Sequence, residues 1–170
     1  DPHRKVSSHL VIARDGAITQ LLTFNTVGWH AGRSTWEQRR EFNQFSLGIE
    51  IDNVGRLERR DGRLLTWFER EIDPDEAMEA VHRNEVESSW WQRYPAPQLT
   101  VVEQVCRLLM TTYSLKYVLG HEEIAPRRKV DPGPAFPLDE MRQRLLNPRS
   151  APVAQVGAES DEATRRDSTS

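Results

Sequence analysis

Three side chains able to take part in catalysis lie within one short stretch of the sequence, GHEEIAPRRKVDPGPAF, which covers residues 120–136. They are His121, Lys129 and Asp131. Imidazole and carboxylate groups are both common ligands of Zn²⁺, whose catalytic sites use three protein ligands and keep one position for water. Two prolines soon after Asp131 restrict the backbone, which would hold its carboxylate at a low entropic cost. The stretch therefore suggests a metal-binding loop, although a His and an Asp in one loop are often unrelated surface residues.

The lysine of this stretch could act beside such a metal. Lys129 lies two residues before Asp131, so in an extended segment both side chains point to the same side. An ammonium in that place could stabilise a developing oxyanion. The other interpretation is a solvated lysine within the charged run of residues 127–129.

A glutamate elsewhere in the chain is a candidate general base. Residues 46–52, SLGIEID, alternate between apolar and polar, which predicts a strand with Leu47, Ile49 and Ile51 on one buried face. Glu50 lies on the opposite face. It either faces water on the open side of a sheet or, if that side borders the active site, takes a proton during catalysis.

Several elements are predicted to position these residues. Apolar periodicity, turn dipeptides and helix caps predict strands over 6–12 and 18–22 joined at Asp15-Gly16, a helical turn over 34–37, a hairpin of 55–58 with 63–68, a short helix after Asp73-Pro74, a helix over 97–113, a strand over 116–120 and a helix over 138–146. Strands and helices in this mixed order predict an α/β domain with a central mixed β-sheet flanked by helices.

Three further residues of interest are assigned to packing. Cys106 lies on the apolar face of the predicted helix over 97–113, and a single cysteine cannot form an internal disulfide. The adjacent Trp90 and Trp91 could stack on a sugar ring if their indoles were exposed. Tryptophans in such a position more often complete a hydrophobic cluster, and packing is the interpretation that we favour.

Length and composition indicate one globular domain over residues 1–147. Thirty-seven percent of the 170 residues are hydrophobic, which is enough for a core. Residues 148–170 are small or charged, and we expect a disordered tail or linker there. A net charge of −3 without a basic stripe gives no support to nucleic acid as a partner.

The sequence also limits what can be expected of its cellular context. It has no run of about 18 apolar residues and no charged-then-apolar leader, so neither a membrane segment nor a signal peptide is visible. The first residue is Asp1 rather than Met, which suggests a processed chain or a fragment. The compartment, cytoplasm or cell envelope, and the oligomeric state are left open.

Three motifs carry a resemblance to a known family. WHAG at residues 29–32, SLGIEIDN at 46–53 and the stretch at 120–136 together resemble the zinc-dependent N-acetylmuramoyl-L-alanine amidases of the type 2 amidase family, which share their fold with peptidoglycan recognition proteins. The likeness runs from about residue 6 to residue 146, with a less familiar stretch over 55–94. It implies hydrolysis of the amide between N-acetylmuramic acid and L-alanine in peptidoglycan or muropeptides, with Zn²⁺ as cofactor.

The resemblance also implies a role for each matching residue. His121 and Asp131 match two zinc ligands. Glu50 matches the catalytic glutamate, which would take a proton from the attacking water, and Lys129 matches the lysine that stabilises the oxyanion. Trp29 and His30 match residues that line the cleft near the substrate, although a packing role suits them almost equally well.

One ligand of the family has no counterpart in this chain. The family's first zinc ligand is a histidine on a strand that precedes the segment VSSHLVI, and this chain begins too late to contain that strand. His9 lies on the following strand, so we expect a structural role for it, with substitution as a ligand the alternative. The sheet is therefore expected to lack its N-terminal strand here, and the zinc affinity and activity of residues 1–170 become open questions.

Two rival functions differ from this interpretation. A binding module of the same fold could recognise peptidoglycan without cleaving it, but such a module would need none of Glu50, His121, Lys129 and Asp131. A phage or secreted lytic enzyme would share the chemistry and differ only in biology. The sequence leaves open whether the substrate is intact cell wall or a soluble anhydro-muropeptide.

Overall fold

The computed structural model describes residues 6–146 of the chain, so the predicted tail over 148–170 lies outside the described residues. The described part forms ten short strands and three α-helices. The strands are β1 Leu10–Ile12, β2 Ile18–Gln20, β3 Thr35–Trp36, β4 Arg39–Arg40, β5 Ile49–Ile51, β6 Arg56–Arg60, β7 Arg63–Leu65, β8 Glu71–Ile72, β9 Ala77–Val81 and β10 Ser88–Gln92. The helices are α1 Ala96–Tyr113, α2 His121–Ile124 and α3 Leu138–Leu146. The α/β class predicted from the sequence is confirmed.

A three-stranded mixed sheet contains the strand of the SLGIEIDN motif and, on it, the candidate base Glu50. Its order is β2-β1-β5, with β2 antiparallel and β5 parallel to β1. The predicted hairpin is confirmed, and its turn uses Gly16 at a φ of 90°, a conformation that glycine adopts without strain. Val11 is paired with Glu50, which places the glutamate in the middle of β5. Both hairpin strands are shorter than predicted.

Helices α1 and α3 cover this sheet and bury the core. Val102, Cys106 and Leu109 of α1 are buried, as their spacing predicts, and Ile12 of β1 packs in the same cluster as Val102 and Cys106. Burial raises the pKa of the Cys106 thiol to about 11, so it stays protonated and serves as a small apolar residue. The packing interpretation of Cys106 is therefore confirmed.

A second sheet, which we call the accessory sheet (residues 56–92), has five antiparallel strands in the order β8-β7-β6-β10-β9. It has its own small core of Leu57, Leu64, Ile72 and Ala77. Trp91 of β10 is only 1% exposed, which confirms the packing interpretation for this residue. The stretch that looked less familiar in the sequence is thus a compact unit beside the mixed sheet.

The helix predicted after Asp73-Pro74 is wrong beyond its first turn. Asp73 does cap residues Pro74–Glu76, accepting a hydrogen bond from the backbone N–H of Asp75, but these form a single 3₁₀ turn. The chain then enters β9, all five residues of which pair with β10. Pairing with a neighbouring strand therefore outweighs the local cap.

Two other local predictions are wrong for a related reason. The helical turn over 34–37 is instead the start of the β3–β4 hairpin, because the Ser34 hydroxyl accepts from the distant Phe42 N–H, at 3.0 Å, rather than from its own turn. Residues 116–120 are not a strand, because no strand among residues 6–146 lies beside them to share hydrogen bonds. The Val118 carbonyl accepts from Arg142 of α3 instead.

Candidate metal-dependent active site

A short loop brings the predicted metal ligands together. His121 begins α2, and ten residues later the chain returns so that the Glu122 N–H donates to the Asp131 carbonyl at 2.8 Å. This closure places Nδ1 of His121 2.9 Å from Oδ2 of Asp131. We call residues 121–133 the ligand loop. The two residues proposed as metal ligands from the sequence therefore place a nitrogen and an oxygen donor next to each other.

The second nitrogen of His121 has its own partner. Nε2 lies 3.1 Å from the carbonyl oxygen of Ala31, to which it can donate a hydrogen bond. Without a metal, Nδ1 contacts the Asp131 carboxylate as a hydrogen-bond donor; once that proton is lost, the bond from Nε2 to Ala31 would keep the Nδ1 lone pair available to a metal. Metal-binding histidines commonly donate their other N–H to a carbonyl or carboxylate, which fixes the ring for coordination. The donor pair therefore fits a cation such as Zn²⁺ between Nδ1 and the carboxylate.

The charges around Asp131 favour its ionised form. Burial alone would raise the pKa of this carboxyl, but the hydrogen bond and charge of His121 and the ammonium of Lys129 together outweigh burial and hold the pKa below its usual value. Lys129 Nζ lies 3.8 Å from Oδ1 of Asp131. The two side chains thus lie on the same side of the loop, as their spacing predicts.

A cavity of about 570 Å³ opens beside the two donors. It lies between β5 and residues 115–120, where no strand of the described chain fills the space. The polar residues on its wall include Glu50, His30, His121 and Asp131. Glu50 is exposed in β5 and therefore shares this cavity with the donor pair.

The two residues predicted to bind substrate are placed differently. His30 lines the cavity, whereas Trp29 is 45% exposed and does not belong to the cavity wall. Burial lowers the pKa of His30, and the nearby His9 and His121 lower it further, against a hydrogen bond to the Ser46 carbonyl that raises it. His30 is therefore suited to contact a ligand as a neutral imidazole.

His9 has the structural role that was expected for it. It is 1% exposed, Nδ1 accepts from the Gly48 N–H at 3.0 Å, and Nε2 donates to the Thr26 carbonyl at 2.9 Å. Both ring nitrogens are thus used in holding β5 and the segment around Thr26 against β1. Within residues 6–146 no group of three His, Cys, Asp or Glu side chains converges as a metal site.

Two residues that support the site were not predicted from the sequence. Arg128 donates to the Ala31 and Arg33 carbonyls, at 2.9 and 3.1 Å, and so holds the WHAG loop against the ligand loop. The Tyr94 hydroxyl donates to the Pro132 carbonyl at 2.9 Å. The short-range pattern contains no signal for these contacts, because their partners are 38 to 97 residues apart in the chain.

Comparison with known proteins agrees with this geometry. The sequence matches the family described as N-acetylmuramoyl-L-alanine amidase over residues 1–134. It is 34% identical to the 1,6-anhydro-N-acetylmuramyl-L-alanine amidase AmpD of Escherichia coli K12 over 146 residues, which are 85% of this chain and 60% of AmpD. The fold resembles E. coli AmiD in complex with anhydro-N-acetylmuramic acid-L-Ala-D-gamma-Glu-L-Lys, with a TM-score of 0.60, 26% identity and coverage of 83% of this chain and 48% of AmiD. It also resembles a crystal structure of AmpD, with a TM-score of 0.57, 29% identity and coverage of 83% and 60%.

The chain therefore belongs to the N-acetylmuramoyl-L-alanine amidase family, as the motifs indicated. It spans about 60% of the length of the E. coli AmpD that it matches. Among the residues that the structure describes, no helix is long and apolar enough to cross a membrane.

Proposed function

We propose that this chain carries a zinc-dependent amidase site that hydrolyses the amide bond between N-acetylmuramic acid and L-alanine. The observation that carries the proposal is that His121 and Asp131 lie together on the wall of a cavity that Glu50 also lines, with the Lys129 ammonium next to Asp131. These four are the residues that the family resemblance assigns to ligation and catalysis. A module that only binds peptidoglycan would need none of them.

The donor set supports zinc as the metal. His121 Nδ1 and the Asp131 carboxylate would supply two of the three protein ligands of a catalytic site. We propose that the third is a histidine outside residues 6–146, as the family resemblance implies, because no third His, Cys, Asp or Glu side chain of the described part converges with this pair. Bound zinc would polarise the scissile carbonyl and lower the pKa of the attacking water.

The side chains of this site would perform the remaining steps. The Glu50 carboxylate would accept the proton of the water as its oxygen attacks the carbonyl carbon, and would deliver that proton to the nitrogen when the C–N bond breaks. The Lys129 ammonium would hold the oxyanion that forms on the former carbonyl oxygen. The products are the free lactyl carboxylate and the amine of L-alanine.

The substrate that we propose is a muropeptide. AmpD is named for action on 1,6-anhydro-N-acetylmuramyl-L-alanine, and AmiD has been crystallised with an anhydro-muramyl tripeptide. The cavity, about 570 Å³ in volume, is within the range of small-ligand sites. A soluble anhydro-muropeptide and an intact sacculus present the same scissile bond, so the choice between them needs a direct assay.

The test follows release of the stem peptide by mass spectrometry. The protein is offered anhydro-muramyl tripeptide and, separately, purified sacculi, each with zinc, with a chelator, and with the chelator followed by excess zinc. We expect zinc-dependent release from the muropeptide and loss of release in Glu50→Gln. Binding of the muropeptide without release in any zinc condition would instead support the non-catalytic module.

The location of the third ligand has its own test. Zinc is titrated into residues 1–170 and into a longer chain that includes the preceding sequence, with thermal unfolding as the measure. Because stabilisation follows RT ln(1 + [L]/Kd), weak binding by two ligands leaves the melting temperature of the short chain nearly constant. Tight binding by residues 1–170 would show that they already contain a complete ligand set.

A further inference from the structure

A buried carboxylate joins the accessory sheet to the ligand loop. Glu122, the residue after His121, is 2% exposed. Its Oε2 accepts from the Gly133 N–H at 3.0 Å, while its own N–H donates to the Asp131 carbonyl. Glu122 therefore ties together the beginning and the end of the loop that carries the two metal donors.

The accessory sheet supplies the other partners of this carboxylate. Nε2 of His82, directly after β9, lies 2.8 Å from Oε2 of Glu122, and Nε of Arg83 lies 2.9 Å from Oε1. The side-chain amide of Asn84 donates to the Glu122 carbonyl at 3.0 Å. Three consecutive residues at the end of one strand thus hold one residue of the ligand loop.

A backbone hydrogen bond determines which nitrogen of His82 carries the hydrogen. The Asn84 N–H donates to Nδ1 of His82 at 3.2 Å, so Nδ1 is the acceptor and Nε2 carries the hydrogen that Glu122 accepts. The imidazole is 1% exposed and stacks on Trp91, with ring centroids 5.7 Å apart and an angle of 21°. A ring held on two sides provides a donor at a fixed position.

Trp91 also contacts the far end of the ligand loop. A Cβ added to Gly133 would lie 2.6 Å from Cζ3 of Trp91, so only glycine allows the loop to pack this closely on the indole. Gly133 has a φ of 75°, which also favours glycine. His82 and Trp91, which stack on each other, thus contact the ligand loop at its beginning, Glu122, and at its end, Gly133.

We propose that His82 is a positioning residue for the metal site, acting through Glu122 to hold His121 and Asp131 in the geometry that binds zinc. The proposal rests on the proposed zinc amidase site. It adds that the accessory sheet is part of the active-site machinery and acts through Glu122, the residue next to His121. Partners of this kind typically change metal affinity or activity by about 10–100-fold.

The experiment replaces His82 by residues that remove or keep the donor. His82→Leu has a similar size but no N–H, whereas His82→Gln can place its amide N–H near the position of Nε2. Zinc affinity is measured by competition with a chromophoric chelator in the full-length protein, alongside kcat and KM for anhydro-muramyl tripeptide. The ¹⁵N shifts of the His121 ring are recorded in the zinc-free protein.

We expect His82→Leu to weaken zinc binding by about 10–100-fold and to lower kcat, with KM changed by less than about threefold, because only the metal geometry is affected. His82→Gln should restore most of both values. The His121 ring shifts should move in His82→Leu and stay near the wild type in His82→Gln. This rescue separates positioning from simple packing.

A matched control uses the same sheet at a place that does not touch the loop. Leu64 is buried in the accessory core, so Leu64→Ala should lower the melting temperature without changing zinc affinity or the His121 shifts. If His82→Leu does not fold, Asn84→Ala is used in its place, because Asn84 is exposed and its substitution should be tolerated. It removes one hydrogen bond to Glu122 and should change the same measurements by a smaller amount.

Two results would overturn the proposal. One is wild-type zinc affinity together with wild-type His121 shifts in His82→Leu, or in Asn84→Ala if that is the variant that folds. The other is an equal loss of zinc affinity in Leu64→Ala. A wild-type protein that binds no zinc would contradict the proposed function instead, and the His121 shifts of the zinc-free variants would still decide the role of His82.

Discussion

The mixed sheet and the accessory sheet of this protein differ in how completely their strands are paired and packed. The mixed sheet has three strands, ends at β5 without a second neighbour among residues 6–146, and borders a cavity of about 570 Å³. The accessory sheet has five paired strands, its own core, and a buried tryptophan packed against the ligand loop. The candidate chemical groups lie beside the cavity, and the accessory sheet supplies none of them.

This difference suggests that the cavity side carries the reacting groups and that the accessory sheet holds them in position. A reaction site needs open volume and exposed polar groups, both of which reduce local packing. The His121–Asp131 pair must nevertheless stay in place, and its support comes from the densely packed neighbour through Glu122. Equal substitutions in the two regions should therefore have unequal effects on catalysis.

The largest expected effect is at Asp131. Replacing Asp131 by Asn removes the charge of a candidate zinc ligand and should lower kcat/KM at least about 10⁴-fold. Asp61→Asn makes the same chemical change in an exposed turn of the accessory sheet and should leave kcat/KM within about twofold. Stem-peptide release measured for both variants checks the comparison, and similar losses in the two would contradict it.

The next effect concerns the candidate base. Glu50→Gln keeps the shape of an exposed side chain in β5 and should lower kcat by about 10²–10⁴-fold, the range for general acid–base catalysis. The melting temperature should not change, because Glu50 is exposed. Glu58→Gln in the accessory sheet is the control, since it loses only an exposed pair with Arg60. A fully active Glu50→Gln would remove this residue from the mechanism.

A somewhat smaller loss is expected at Lys129. Its replacement by Ala should lower kcat by about 10²–10³-fold, the scale for deleting one donor to an oxyanion, with little effect on KM. Arg127→Ala removes an exposed cation from the same charged run, residues 127–129, and should change kcat and KM very little. Steady-state kinetics of the two variants would separate a specific role from a general effect of positive charge.

The smallest effect is a pH dependence of stability that arises from His30. Because burial lowers its pKa, the unfolded chain binds a proton more readily than the folded chain, so this contribution to stability is complete above about pH 6.5 and is lost as the pH falls toward the lower folded value. Thermal unfolding at pH 7.5 and 5.5, with a chelator present, should show a smaller decrease for His30→Gln. Identical slopes in both proteins would contradict the assignment.

Local patterns were sufficient for part of the fold. The first hairpin follows from the Asp15-Gly16 dipeptide between two apolar runs, and α1 follows from apolar residues at three- and four-residue steps. The candidate donors His121 and Asp131 also lie in one motif, so their proximity could be inferred from a single loop. Each of these features depends on residues that are near one another in the sequence.

Other features follow from contacts that no local pattern contains. The segment after Asp73 has a good helix cap, yet it becomes a strand because β10 offers it a complete set of hydrogen bonds. Residues 116–120 have a strand-like composition but lack a neighbour within the described chain. In both cases the presence or absence of a distant partner decides the conformation.

The amino-acid sequence by itself determined the family, the motif residues and the elements with regular apolar periodicity. Only the tertiary structure decided that His121 would face Ala31, 90 residues away, and that His82 would reach Glu122 across 40 residues. The physical reason is that periodicity and capping act within a few turns of backbone. A hydrogen bond between distant side chains depends on how sheets and loops pack against one another, which the sequence specifies only through the complete fold.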